Sequence, residues 1–257
     1  METVTSEDGT TIAFDRIGEG PPLVLVSGGS VDRTSLAPLA QELAPDFTVL
    51  NYDRRGRGPS GDTLPYAIER EIEDISAVIG AAGGEAAIFG SSSGAVLALD
   101  AAEAGVPITK AALWEPPFIP EGFPRPPEDQ VEQYETMVAE GRRGDAVEFF
   151  MARVVGMPSD FVSGARSQPW WGVTEALAHT LAYDARIMGD YRIPVERAAA
   201  ITTPTVVIAG GADMAFMRDA AQALADALPN GEARFLDGQG HDVDMKVLAP
   251  VLEDFLS

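Results

Sequence analysis

"AAIFGSSSGAVLALDAA" (Ala86 to Ala102) sets three consecutive serines between two glycines, after an apolar run and before an Ala-rich stretch of helical pattern. The apolar run reads as a strand buried on both faces and the stretch after it as a helix. Serines at such a joint either cap the helix or present an oxygen for chemistry. Gly90-Ser91-Ser92-Ser93-Gly94 matches G-x-S-x-G. In that pattern a sharp strand-to-helix turn lifts the middle side chain above the sheet, and the flanking glycines allow close packing without Cβ clashes. Ser92 is thereby expected at a helix amino terminus, where backbone N–H groups and the helix dipole favour developing negative charge. The N–H of Ser93 becomes one candidate oxyanion donor.

Working outward, short apolar runs alternate with longer helical patterns. Residues 22–28 (PLVLVSG), 47–53 (FTVLNYD), 85–91 (EAAIFGS), 108–115 (ITKAALWE) and 204–211 (PTVVIAGG) read as strands. Between them, residues 35–44, 66–83 and 94–105 place apolar side chains at three- and four-residue intervals and close on Gly or Pro. A β-α-β-α series implies a mainly parallel sheet covered by helices. "TTIAFDRIG" (10–18) adds an early antiparallel strand, "EARFLDGQG" (232–240) a last strand, and "LAPVLEDFLS" (248–257) a final helix. The alternation breaks between about Phe118 and Arg197, where a proline-rich linker leads into helical pattern with no convincing strand. That stretch is too long for a loop and reads as a helical insertion, a lid over the sheet.

Composition bounds the function. The chain has 257 residues, 46% hydrophobic, with 40 acidic against 18 basic side chains and a formal net charge of -22. It is long enough for one sizeable core with an inserted subdomain. Such a charge repels phosphate backbones and anionic lipid, which argues against nucleic-acid and membrane partners. With no cysteine and two histidines, there is no thiolate nucleophile or disulfide frame, and a structural zinc site is not expected. The polar, acidic amino terminus does not read as a signal peptide, and no run of apolar residues reaches membrane-span length, so a cytoplasmic location is expected.

A serine hydroxyl needs a neighbouring base, commonly an imidazole held by a carboxylate. His179 lies within helical pattern in the insertion, where a lone histidine is usually a packing or surface residue. His241, in the glycine-flanked turn "FLDGQGHDVD" after the last strand, occupies the kind of strand-end loop where parallel sheets gather catalytic groups. Two carboxylates give the chain order Ser, acid, His: Asp213, after "VVIAGGA", and Glu115, which ends "AALWE" and is stiffened by Pro116 and Pro117. Both remain candidates. A second oxyanion donor is expected from Gly28 or Gly29 in "VLVSGGSVD". Trp114, Phe149, Phe150, Trp170, Trp171, Met188, Tyr191 and Met214 are candidate walls of an apolar substrate pocket.

With Ser92 in its turn, the glycine loop at 28–29, "YDRRGRGPSGD" (Tyr52 to Asp62) and His241, the chain resembles the α/β-hydrolase superfamily over nearly its whole length. The resemblance implies an eight-stranded, mostly parallel sheet, with residues 1–117 and 196–257 as core and 118–195 as helical cap. It implies cofactor-free hydrolysis of esters, lactones or related bonds. By that resemblance Ser92 is the nucleophile, Ser93 and Gly28 or Gly29 are the oxyanion donors, His241 is the base, and Asp213 stands at the commonest acid position. Most members carry His-Gly where this chain has Ser27-Gly28. "FGSSSGA" with "LWEPPF" is similar to zearalenone-type lactone hydrolases, whose acid position matches Glu115. The implied partner is a small-molecule substrate of a monomer or homodimer. Thioester and carbon–carbon bond hydrolysis reuse the same triad, and a weakly hydrolytic small-molecule receptor reuses the same fold. A nucleotide-binding α/β protein fits poorly, because "GSSSGA" lacks the lysine of a phosphate loop.

Overall fold

The computed structural model describes residues 1–212, 214 and 216–257. Among them, eight strands form one sheet: β1 (Glu2–Thr5), β2 (Thr11–Ile17), β3 (Pro22–Val26), β4 (Thr48–Tyr52), β5 (Ala86–Ser91), β6 (Ile108–Trp114), β7 (Thr205–Ala209) and β8 (Gly231–Phe235). Their spatial order is β1-β2-β4-β3-β5-β6-β7-β8. β2 runs antiparallel to β1 and β4, and every pairing from β4 to β8 is parallel. β1 is the strand that the residue pattern does not announce, because "ETVT" is short, polar and mostly exposed.

The helices of the core are α1 (Ala37–Leu43), α2 (Ile68–Ala81) and α3 (Ser93–Glu103), and, after the insertion, α10 (Phe216–Ala227) and α11 (Met245–Leu256). Strand side chains alternate between faces. Leu23 and Leu25 of β3 therefore join Phe89, Trp114 and Ile208 in a core completed by Leu39 and Leu43 of α1 and Leu248 and Leu252 of α11. Val24 and Val26 turn the other way, onto Ile88, Leu113 and Val207, with Ile75, Leu97 and Leu224 of α2, α3 and α10 above them. Both faces of β3 to β7 are largely buried, which is why they read as unalternated apolar runs, whereas β8 at the sheet edge is partly exposed.

Residues 115–204 connect β6 to β7 and contain α4 (Gln130–Ala139), α5 (Arg143–Phe149), α6 (Ser159–Ala165), α7 (Trp171–Ala176), α8 (Leu181–Met188) and α9 (Val195–Ala198). Among its described residues this connection contributes no strand to the sheet. Tyr134, Met137, Val147, Met151, Trp171 and Leu181 build a small core of its own, while Ile187, Met188 and Tyr191 pack into the main core. The helical pattern over 173–190 is broken where His179 sits in a 3₁₀ turn (Ala178–Thr180) between α7 and α8. A wide π turn over Phe150–Val155 extends α5.

The glycines around the serines have a measurable purpose. A Cβ on Gly90 would lie 2.4 Å from the Gly94 carbonyl oxygen, and one on Gly94 would lie 2.4 Å from that of Ser27. Both obstacles are backbone, so α3 can lie this close to β3 and β5 only without side chains there. Gly94→Ala is expected to cost about 3 kcal/mol of stability or more through overpacking. A urea melt with an unshifted midpoint would refute that account.

Candidate active site

The strand order β3-β5-β6-β7-β8 brings the ends of successive strands into a row, and the site is built along it. The row begins at the junction of β3 and β5, whose outgoing connections lead in opposite directions along the sheet, to β4 and to β6, the usual place for a ligand in an open α/β sheet. Ser92 follows β5 with φ 56° and ψ -126°, a left-handed conformation that costs a non-glycine residue about 1–3 kcal/mol. Its N–H donates to the Trp114 carbonyl at 2.9 Å, tying the turn to β6. Beside it, a Cβ on Gly28 would fall 3.0 Å from the Ser92 Cβ, so the loop after β3 lies directly against the serine. Among the described residues, the N–H groups of Gly29 and Ser93 have no protein acceptor.

Glu115 directly follows β6, again in the left-handed region at φ 41°, and is 2% exposed. Its Oε1 accepts the N–H groups of Gly210 and Gly211 at 3.0 and 3.1 Å, and its Oε2 lies 2.8 Å from His241 Nδ1. Trp114 Nε1 donates to the His241 carbonyl at 3.0 Å, which fixes the histidine loop from the same strand. Gly210 permits this convergence, since a Cβ there would overlap the Gln239 carbonyl at 2.0 Å. Asp213, the other candidate acid, lies outside the described residues.

Ser92, His241, Gly28, Gly29 and Ser93 all line one cavity of about 650 Å³. Trp114, Met188, Tyr191 and Met214 are in its wall, as is Phe150 from the π turn. Trp170 and Trp171 are not among the lining residues. Trp170 is 38% exposed and stacks on Phe161, whereas Trp171 is buried in the small core of the insertion under the Arg166 guanidinium. Phe149 is also spent on that core, edge-on to Tyr134. Helical spacing cannot tell the side of a helix facing the insertion's own core from the side facing the sheet. His179 is away from this cavity, with Nδ1 3.0 Å from an Arg143 nitrogen and Nε2 3.7 Å from Asp62. Burial, then the Arg143 charge, pushes its pKa down.

One group at the site escaped the sequence reading. Asp184 of α8 lines the cavity and accepts from Ser93 Oγ at 2.8 Å, Arg54 Nη1 at 2.8 Å and Arg57 Nη2 at 2.9 Å. Arg54, Arg55 and Arg57 of "YDRRGRG" are fully buried, and Arg54 and Arg55 make further paired contacts with Glu71 and Asp74. Burial drives the Asp184 carboxyl upward, but the Arg57 and Arg54 charges and the Ser93 hydroxyl outweigh it and hold it below the usual carboxylate range. Three arginines within four residues, following a buried strand, were the available signal, because interior guanidinium groups require carboxylates brought from elsewhere in the chain. Among the described residues, no cluster of His, Cys, Asp and Glu is arranged to hold a metal ion, and no helix is long and apolar enough to cross a membrane.

Comparison with known proteins bears on the family and the fold. The family model described as "Alpha/beta hydrolase family" matches residues 23–251. The crystal structure of an alpha/beta hydrolase from Sphaerobacter thermophilus DSM 20745 is 52% identical, covers 100% of both chains and superposes with a TM-score of 0.92. A pimeloyl-[acyl-carrier protein] methyl ester esterase of Xanthomonas campestris pv. campestris (strain B100) is 30% identical over 242 residues, 89% of this chain and 90% of that one. An uncharacterized hydrolase of Bacillus subtilis (strain 168), YraK, is 36% identical over 96 residues, and the match spans 35% of its length.

Proposed function

This chain belongs to the alpha/beta hydrolase family, and from that premise we propose that it is a serine hydrolase cleaving a small, largely apolar carboxylic ester or lactone. The observation that carries the reading is the convergence of Ser92 and His241 on one cavity with the Glu115 carboxylate 2.8 Å from His241 Nδ1. Glu115 holds the imidazole in the tautomer that protonates Nδ1, and Nε2 takes the Ser92 proton as Oγ attacks the substrate carbonyl. The resulting oxyanion is held by the N–H of Ser93 and one from the Gly28–Gly29 loop, at the positive end of α3. His241 then passes the proton to the leaving alcohol, and water releases the acid from the Ser92 ester by the same steps in reverse. Residues 118–195 serve as a cap that supplies walls such as Phe150, Met188 and Tyr191.

The cavity supports the substrate class. About 650 Å³ with mostly apolar walls suits one uncharged ligand of drug-like size. The acidic chain as a whole disfavours encounter with polyanions. The esterase relative acts on a methyl ester, which supports ester over amide chemistry. The test is labelling by a fluorophosphonate probe, mapped by peptide mass spectrometry, followed by a panel of aryl esters, lactones and thioesters. Modification of Ser92 and turnover of short aryl esters or lactones are expected, with no loss of rate in EDTA. Absence of labelling, or an EDTA-sensitive rate that zinc restores, would overturn the proposal.

A further inference from the structure

We propose that Asp184 is a positioning residue that sets both walls of the oxyanion hole from the inserted helices. The proposal rests on the serine-hydrolase reading above, and the geometry is the following. Asp184 Oδ1 accepts the Ser93 hydroxyl at 2.8 Å, and Ser93 is the residue whose N–H forms one side of the hole. The same carboxylate accepts Arg57 Nη2 through both oxygens at 2.9 Å. Arg57 Nη1, in turn, donates to the Gly28 carbonyl and, at 3.3 Å, to the Val31 carbonyl. The Gly28 C=O and the Gly29 N–H belong to one planar trans peptide, so they point in opposite directions. Fixing the carbonyl on Arg57 therefore fixes where the Gly29 N–H points. A Cβ on Gly29 would sit 3.1 Å from Asp184 Oδ2, so the carboxylate also abuts the loop directly.

One side chain thus determines the spacing and tilt of two donors that lie about sixty residues apart in sequence. Arg54 reinforces it, reaching Asp184 at 2.8 Å, Ser93 Oγ at 3.3 Å and the Ser27 carbonyl at 3.4 Å while its other edge is held by Glu71. The Glu71 carboxylate is bonded by the Tyr66 hydroxyl, and Tyr66 stacks at 3.9 Å on Tyr183, the neighbour of Asp184 in α8. A plain surface latch would need none of these contacts on the donor peptides. The hole is assembled when α8 is seated, which ties its competence to closure of the cap.

The experiment compares Asp184→Asn and Ser93→Ala with the parent, using an aryl ester and a trifluoromethyl ketone of matching shape, whose adduct on Ser92 is a tetrahedral oxyanion. Ser93→Ala removes the hydroxyl but keeps the N–H, and keeps the proposal testable if Asp184→Asn does not fold. Misplacing a donor by about an ångström costs on the order of a hundredfold in rate. Asp184→Asn is expected to lower kcat by about that factor, and Ser93→Ala by roughly tenfold, with KM within about threefold of the parent. The ketone should weaken in the same proportion as kcat, while a non-reactive alcohol of the same shape should bind as to the parent. Parent-like kcat and ketone affinity in Ser93→Ala, or an effect of Asp184→Asn confined to KM, would overturn the proposal. A parent inert to fluorophosphonate would instead sink the hydrolase reading and this proposal together.

Discussion

Ser92→Ala is expected to remove at least about a thousandfold of esterase activity while leaving a folded protein. The covalent route disappears, whereas the cavity and the donors at Gly29 and Ser93 remain to bind and polarise a substrate. Ser91→Ala should stay near the parent rate, since Ser91 is the last residue of β5 and precedes the turn. The stability of the variants carries a second expectation. Because Ser92 sits at φ 56°, alanine keeps the backbone strain and glycine relieves it, so Ser92→Gly should be more stable than Ser92→Ala by about 1 kcal/mol. Near-parent turnover by Ser92→Ala on the best ester found would refute the nucleophile assignment.

Glu115→Gln should be nearly as severe. A carboxylate that fixes the imidazole tautomer is worth up to about four orders of magnitude in turnover, and glutamine keeps the shape but loses the charge. Its Oε1 partners, the Gly210 and Gly211 N–H groups, demand an oxygen on that side. The amide nitrogen is then driven toward His241 Nδ1, which must accept, and the proton moves to the nitrogen that should act as base. Asp213→Asn is expected to stay within a few fold of the parent. Retained activity in Glu115→Gln with collapse in Asp213→Asn would transfer the role to Asp213. The pair separates the two assignments because both changes preserve volume and differ in which charge they remove.

Much of this arrangement could be read from the chain because burial leaves a strong imprint. Strands covered on both faces must be apolar throughout, so β3 to β7 were evident, and the glycines bracketing the serines marked the close approach of α3. β1 left no imprint, since an exposed edge strand of four residues needs only backbone pairing. The insertion was visible as helical pattern without strands, but not its internal division. Trp171 and Phe149 obey the same periodicity as Met188, although the first two face the insertion's own core and the last the cavity. Glu115 and Asp213 were equivalent on spacing. What distinguishes Glu115 is its contact with His241 and with two peptide N–H groups of the next strand end, a matter of which strands are neighbours. Asp184 looked like any acidic residue on an amphipathic helix, and its meaning depends on Arg54 and Arg57, more than a hundred residues earlier.

The shared ion cluster at Asp184 also constrains recombination. Exchanging residues 118–195 for the corresponding segment of another protein would be a direct way to give this scaffold a new pocket, since Phe150, Met188 and Tyr191 all come from that segment. Such a chimera would strip Arg57 of its carboxylate partner, while Arg54 would keep Glu71. An interior guanidinium left without its counter-ion costs about 3–5 kcal/mol, a large part of the stability of a domain this size. A transplanted segment must therefore bring an acid to the same place on its last long helix, or arrive with an Arg57 replacement in the recipient. Pocket shape and the loop after β4 are, in this chain, a single heritable unit.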